Sequence, residues 1–194
     1  MRKMKNSRRY MVYLNNAQFS PADADLILKK SKELTNSLDI VIRDCRIASD
    51  FIELDVSLGK KENIDKVLNL LKNISLTKEI MEVKERHLNK SEAITSAIEL
   101  FNDEKYWWSH EALEMVWKEA SGDEKRLLNG LILICAAFVH FQKNENSICF
   151  SILERSMAKF LNVETSNYYG INIDKIKILI GQILENKKIL MLKI

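Results

Sequence analysis

The chain has 194 residues, of which 46% are hydrophobic and 29% are charged, a globular composition that is rich enough in apolar side chains for one large core or two small ones. Five glycines and one proline favour long helices over a turn-rich β-sandwich. The net charge of +3 derives from the first nine residues, which carry five basic side chains and no acid, so the rest of the chain does not indicate a nucleic-acid-binding surface.

Residues 1–8 are predicted to form a basic tail. The basic side chains at this end of the chain are Arg2, Lys3, Lys5, Arg8 and Arg9. Such a tail is typical of a solvated segment, and weak RNA binding is the alternative. No long apolar run follows it, so a signal peptide is not predicted. The three cysteines form no zinc or disulfide motif, which favours the cytoplasm.

Residues 9–84 are predicted to form a β-α-β-β-α-β module. The strands are expected at 9–14, 39–47, 50–56 and 77–83, with helices at 20–38 and from 62. This order is the ferredoxin-like arrangement, in which two helices cover one sheet face and leave the other open. On that open face, Arg43 with Asp55 or Arg46 with Glu53 would pair across the central hairpin, depending on its register.

The module resembles, in topology and pattern, the small-molecule-sensing ferredoxin-like domains of the ACT type. That resemblance implies a sensor, and it implies sheets paired edge to edge in a homodimer. A structural appendage without a ligand is the alternative.

Residues 90–188 are predicted to be an all-helical bundle. Helices are expected at 91–101, from about 106 to 120, at 127–141, at 147–160 and at 173–188, with a loop at 161–171. The helix at 127–141 is apolar nearly all round and should be central. It is shorter than about 18 residues and contains Asn129 and His140, so no membrane span is predicted.

The helix that contains all three tryptophans carries the candidate site. At about 100° per residue, its apolar arc opposes an arc with Glu111 and Glu114, and His110 lies at the boundary. In an antiparallel pair with the central helix, His140 would meet these side chains in one crevice. An amphipathic helix with a core histidine is the structural alternative. The candidate ligand-binding residues are Tyr106, Trp107, His110, Glu111, Glu114, Trp117 and His140.

Several motifs of this half resemble a helical family known as domain of unknown function 309. They are His110-Glu111-x-Leu113-Glu114-x-x-Trp117, Leu128-x-Gly130-Leu131-Ile132, Ala136-Ala137-Phe138-x-His140 and Tyr169-Gly170-Ile171-Asn172. The resemblance covers about residues 90 to 185 and implies an all-helical intracellular domain without an assigned function. Leu133 stands where the family usually has Gln, and Asn172 where it has Asp.

We therefore predict an uncharacterised binding or interaction protein, with a small molecule or a protein as its partner. No cofactor is predicted. The first alternative is a metal-dependent hydrolase or carboxylate acid/base enzyme, with His110, Glu114 and His140 as ligands of a divalent metal and Glu111 as general base. The second alternative is weak RNA binding through the basic tail.

Overall fold

The computed structural model describes residues 8–85, 87–161 and 163–194. The chain divides into two compact units. The described part of Met1–Arg86 forms the first together with Gln142–Asn144, and His87–Phe141 with Glu145–Ile194 forms the second. The fold class is mixed α+β, as predicted: an antiparallel sheet with helices comes first in the chain, and a helical region follows.

The first unit is built on a four-stranded sheet. Its strands are β1 (Arg8–Asn15), β2 (Ile40–Ile47), β3 (Phe51–Leu58) and β4 (Thr77–Glu82), and its helices are α1 (Ala24–Leu34) and α2 (Ile64–Leu71). The spatial order is β2-β3-β1-β4, and each neighbouring pair is antiparallel. Together with the chain order β-α-β-β-α-β, this is the predicted ferredoxin-like topology. The likeness to ACT-type modules stays a prediction.

Alternation of side chains places the core of this unit on one sheet face. Residues two apart along a strand share a face, and the apolar set packs against α1 and α2. The members of this core that are less than 2% exposed are Val12, Leu14, Ile27, Ile47, Ile52, Leu54, Val56, Leu58, Val67 and Leu71. A short 3-10 turn, Pro21–Asp23, precedes α1, and Ser20 and Asp23 form a capping box there.

The second sheet face carries a row of charged side chains. The register sets Arg46 opposite Glu53, which decides between the two predicted pairings, and the two side chains form an ion pair. Contrary to the expectation of an open face, each is only 3% exposed. Burial opposes the charge of Arg46, but Glu53 and Asp44, at 3.2 Å from its Nη1, raise the pKa of the guanidinium on balance.

Most of the basic tail, residues 1–7, lies outside the described residues. The structure assigns Arg8 to β1, where its guanidinium donates to the carbonyl oxygen of Glu62 at 2.6 Å. Arg9 donates from Nε and Nη2 to the two carboxylate oxygens of Asp55, at 2.9 and 2.7 Å. Both side chains are thus engaged within the protein. RNA binding through the tail stays a prediction about residues 1–7.

The second unit is a helical bundle. Its helices are α3 (Lys90–Asn102), α4 (Tyr106–Glu119), α5 (Gly122–Phe141), α6 (Asn146–Phe160) and α7 (Ile173–Asn186). Helix α5 packs against both α4 and α6, and so occupies the predicted central position. Within the described residues, no helix is both long enough and apolar enough to cross a membrane.

A glycine permits the close approach of α5 and α6. A Cβ atom at Gly130 would lie 2.6 Å from Cζ and 2.7 Å from Cε1 of Phe160, a ring that is 1% exposed. Ser156, one turn earlier in α6, donates from Oγ to the carbonyl oxygen of Gly130 at 2.9 Å. The two helices therefore meet at Gly130, where any larger residue would overlap the Phe160 ring.

A small hairpin occupies part of the predicted loop at 161–171. Strands β5 (Asn167–Tyr168) and β6 (Ile171–Asn172) pair around a two-residue turn in which Tyr169 has φ 50° and Gly170 φ 91°. The loop prediction is therefore wrong at Asn167, Tyr168 and Ile171, which lie in strands. Asn172 then starts α7 as its N-cap, and its side chain accepts a hydrogen bond from the backbone N–H of Lys175 at 2.9 Å.

The three cysteines are free and buried, one in the first unit and two in the second. Burial raises the pKa of Cys45, Cys135 and Cys149 to about 12. The Sγ of Cys135 donates weakly to Oγ of Ser109 at 3.4 Å. At neutral pH these thiols are protonated side chains of the interior.

Candidate functional site

Helix α4 separates a buried face from a half-exposed one. Its buried residues recur at helical spacing and pack against α3 and α5: Tyr106, Trp108, Ser109, Ala112, Leu113 and Val116. Ser109, a polar residue in this set, donates from Oγ to the carbonyl oxygen of Ala97 at 2.8 Å. The remaining face of α4 carries the acidic side chains and His110, as the periodicity predicts.

Three side chains of the half-exposed face lie close together. One ligand atom each from His110, Glu111 and Glu114 lies within 4.8 Å of the other two. The imidazole Nδ1 of His110 is 3.5 Å from Oε1 of Glu111. These side chains are 28%, 45% and 35% exposed, in that order. We call this set the His110 cluster; its members can all accept a hydrogen bond or coordinate a cation.

Two nitrogen atoms on this stripe of α4 are buried without a hydrogen bond to any described residue. They are Nδ1 of His110 and Nε1 of Trp117. Residues seven apart in a helix lie almost in line, so the two side chains flank Glu114 on one stripe. A buried polar atom without a hydrogen-bond partner costs about 1–3 kcal/mol, so the two nitrogens mark a place where further polar contacts would be favourable.

Two lysine side chains contact this face of α4. The ammonium of Lys125 lies 4.5 Å from the ring centroid of Trp117, a cation–π contact, and that of Lys118 lies 3.7 Å from Oε1 of Glu114. Lys118 is one turn from Glu114 along the helix, in the favourable order for such a pair. Sequence spacing within α4 does not predict the contact between Lys125 and Trp117, because Lys125 belongs to another helix, α5.

The other aromatic candidates of α4 pack inside the protein. Tyr106 is 1% exposed, and its ring lies 4.8 Å from that of Phe101 and 5.0 Å from that of Phe138, measured between centroids. Burial raises the pKa of its hydroxyl, which makes no hydrogen bond with a described residue. Trp107 is half-buried and meets Trp108 edge to face at 4.9 Å. The structure therefore assigns Tyr106 to the core.

His140 does not join the His110 cluster. Its Nδ1 pairs with the carboxylate of Glu145, which is itself the residue preceding α6. The chain reverses between these two residues at Asn144, whose φ is 62°, and the N–H of Glu145 donates to the carbonyl oxygen of His140 at 2.9 Å. Helical spacing does not indicate Glu145 as the partner of His140, although its position just past a polar turn is a local signal.

A comparison with protein-family models matches part of the helical unit. Residues 94–151 match the family described as "Domain of unknown function (DUF309)". The matched range contains the His110 cluster, Trp117 and His140. It spans less than a third of the chain, and the family carries no assigned activity.

The chain is also similar to a conserved hypothetical protein of known crystal structure from Thermus thermophilus. The two share 24% sequence identity, with a TM-score of 0.41, over 47% of this chain and 94% of that protein. The search of curated proteins returned no match.

Proposed function

We propose that this protein is a ligand-binding protein whose binding surface is the half-exposed face of α4. The observation that supports the proposal is the gathering of His110, Glu111 and Glu114, with one acceptor atom each within 4.8 Å of the others. Two carboxylates and an imidazole nitrogen make this face attractive to a positive charge. The ligand is therefore a cation.

Lys118, which pairs with Glu114 at the site, is a weak competitor for a cationic ligand. The side chain of Lys118 is 63% exposed, and the partner Glu114 is 35% exposed. Exposed pairs of this kind contribute about 0–1 kcal/mol, so an incoming cation displaces the ammonium at little cost. Lys125 shows that the face of Trp117 accepts a positive charge at 4.5 Å.

Binding is favoured over hydrolysis by the composition of the cluster. A metal-dependent hydrolase would need three ligands and a separate general base. His140, the third ligand of that hypothesis, is paired with Glu145. Glu111 would then have to be the third ligand, and among the described residues the His110 cluster offers no other carboxylate as a base.

Native mass spectrometry of the untagged protein, purified without added metal, tests the proposal. The variant is Glu111→Gln/Glu114→Gln, which removes both negative charges of the cluster and keeps its size. The matched control is Glu99→Gln/Glu119→Gln, two exposed glutamates of α3 and α4 outside the cluster.

We expect a bound species in the wild type and in the control that is lost from the cluster variant. Circular dichroism verifies that all three proteins are folded. A species that persists in the cluster variant, or a wild-type protein that carries none and gains none from its source lysate, contradicts the proposal.

A further inference from the structure

We infer that the ligand of the His110 cluster is a divalent transition-metal ion, held by His110, Glu111 and Glu114. This inference rests on the proposed function, because it names the ligand of the same surface. Three features of the cluster carry it: the donor types, the distances between them, and the buried nitrogen of His110.

The donor types select a class of metal. Imidazole nitrogen suits zinc, iron, nickel and copper, and carboxylates complete many mixed nitrogen and oxygen sites. Calcium and magnesium take oxygen ligands, with six to eight of them around calcium. One imidazole and two carboxylates therefore favour Zn²⁺ or Fe²⁺, or Co²⁺ as an experimental substitute, over Ca²⁺ and Mg²⁺.

The distances are close to those of a coordination shell. Ligand atoms at about 2.0–2.2 Å from a tetrahedral zinc ion are about 3.3–3.6 Å apart. The cluster atoms lie within 4.8 Å of one another, so a closure of at most about 1.5 Å suffices. Glu111 and Glu114 are 45% and 35% exposed, and side chains with this freedom change rotamer without displacing the core.

The imidazole supplies the fixed point of the site. Nδ1 of His110 is removed from water and makes no hydrogen bond with a described residue, although Oε1 of Glu111 is 3.5 Å away. Coordination would satisfy this nitrogen. The Nε1–H of Trp117, one helical turn beyond Glu114, is likewise buried without a hydrogen bond to a described residue.

Three protein ligands leave at least one position open in a tetrahedral shell. A metal ion so held binds a further anionic or neutral ligand directly. The cluster is thus expected to recognise a metal ion first and a small oxygen-bearing or nitrogen-bearing molecule through it.

Titration of the untagged full-length chain with Co²⁺, followed by visible absorption and by calorimetry, tests the inference. The test variants are His110→Ala and Glu114→Gln. His140→Ala is the matched control for loss of a histidine, and Glu119→Gln for loss of an exposed carboxylate of α4. Circular dichroism and Tm establish that each variant is folded.

We expect one Co²⁺ per chain, with affinity reduced at least about a hundredfold by either test variant and changed less than about twofold by either control. Absence of cobalt binding at millimolar concentration overturns the inference, as does an unchanged affinity of His110→Ala. A loss of binding in His140→Ala would overturn it in favour of a different ligand set.

The two proposals fail separately. An organic species bound in native mass spectra, lost from Glu111→Gln/Glu114→Gln, together with no cobalt binding, would retain the proposed function and remove the metal. If native mass spectra show no bound species and cobalt does not bind, both the proposed function and the metal site are wrong. Addition of Mg²⁺ in place of Co²⁺ should give no saturable heat at the same concentrations.

Discussion

Replacement of Gly130 by alanine should destabilise the helical unit, against the usual effect of this substitution in a helix. Alanine is ordinarily preferred to glycine in a helix interior by about 1 kcal/mol. At Gly130, however, the new Cβ would lie 2.6, 2.7 and 3.2 Å from three ring atoms of Phe160. Carbon atoms in contact are about 3.5–4.0 Å apart, so the overlap reaches about 1 Å.

The magnitude follows from the two opposing effects. Overpacking of a well-filled core costs about 1–3 kcal/mol, and the Phe160 ring, 1% exposed, has no solvent to move into. Any shift of α6 also lengthens the 2.9 Å hydrogen bond from Ser156 to the carbonyl of Gly130. We expect a net loss of about 1–2 kcal/mol in the free energy of unfolding.

Gly181 provides a matched control in α7. A Cβ there meets no atom within 4 Å, so Gly181→Ala should stabilise the same unit by about 0.5–1 kcal/mol. Urea unfolding followed by tryptophan fluorescence reports on this unit, since all three tryptophans belong to α4. In the Gly130→Ala background, Phe160→Leu should recover stability with a coupling energy of about 1 kcal/mol.

Either of two outcomes would contradict the steric argument. If Gly130→Ala were as stabilising as Gly181→Ala, the close packing of α5 on α6 at this position would be wrong. If Phe160→Leu showed no coupling to Gly130→Ala, the steric partner would be a different side chain.

Three further substitutions test the charge row, a helix cap and a strained residue. Arg46→Met should lower the free energy of unfolding by about 3–5 kcal/mol, because Glu53 would stay buried without its partner. Thermal and urea unfolding followed by circular dichroism would measure this loss. The double variant Arg46→Met/Glu53→Leu should recover most of it. Asn172→Ala should cost about 1 kcal/mol through loss of the N-cap of α7, whereas Asn172→Asp should retain it; equal unfolding midpoints would contradict this role. Lys187→Gly should stabilise by about 1 kcal/mol, since this residue follows α7 as its C-cap with φ 49°, and a lower unfolding midpoint would contradict this expectation.

The order of elements in the first unit could be predicted because each strand carries a local signal. Ile52, Leu54 and Val56 alternate with acids, and this pattern predicts a strand that the structure has as β3. The strand continues to Leu58, beyond the predicted end, because β1 and β2 pair with it on both sides. A local window of sequence does not contain those partners.

The hairpin at 167–172 illustrates the opposite case. Each of its strands has two residues, too few for alternation to be visible, and Tyr169 is an unusual residue for the left-handed turn position. Its neighbour Gly170, with φ 91°, is a local indication of a turn. The sequence therefore predicts a loop where the chain forms a short hairpin.

The candidate site could likewise be predicted from the sequence only in part. Helical spacing predicts that His110 and Glu114 are neighbours, since they are one turn apart. Glu111 is displaced from His110 by about 100° around the helix, and it reaches the cluster through its side-chain conformation, which spacing does not specify. The position of His140 depends on the reversal of the chain at Asn144, and helix periodicity contains no information about that turn.

Because the three thiols are buried, the opening of each unit can be measured from the rate at which its cysteines are modified. An alkylating reagent or an aromatic disulfide attacks a thiolate, and a native thiol with a pKa of about 12 is almost entirely protonated at pH 8. In an opened molecule, the thiol returns to a pKa near 8.5 and reacts. Modification rates of a variant that retains Cys45 alone would give the free energy of opening of the sheet unit, and those of variants that retain Cys135 or Cys149 would give that of the helical unit. A comparison of these modification rates would therefore show whether the sheet unit and the helical unit open together or independently.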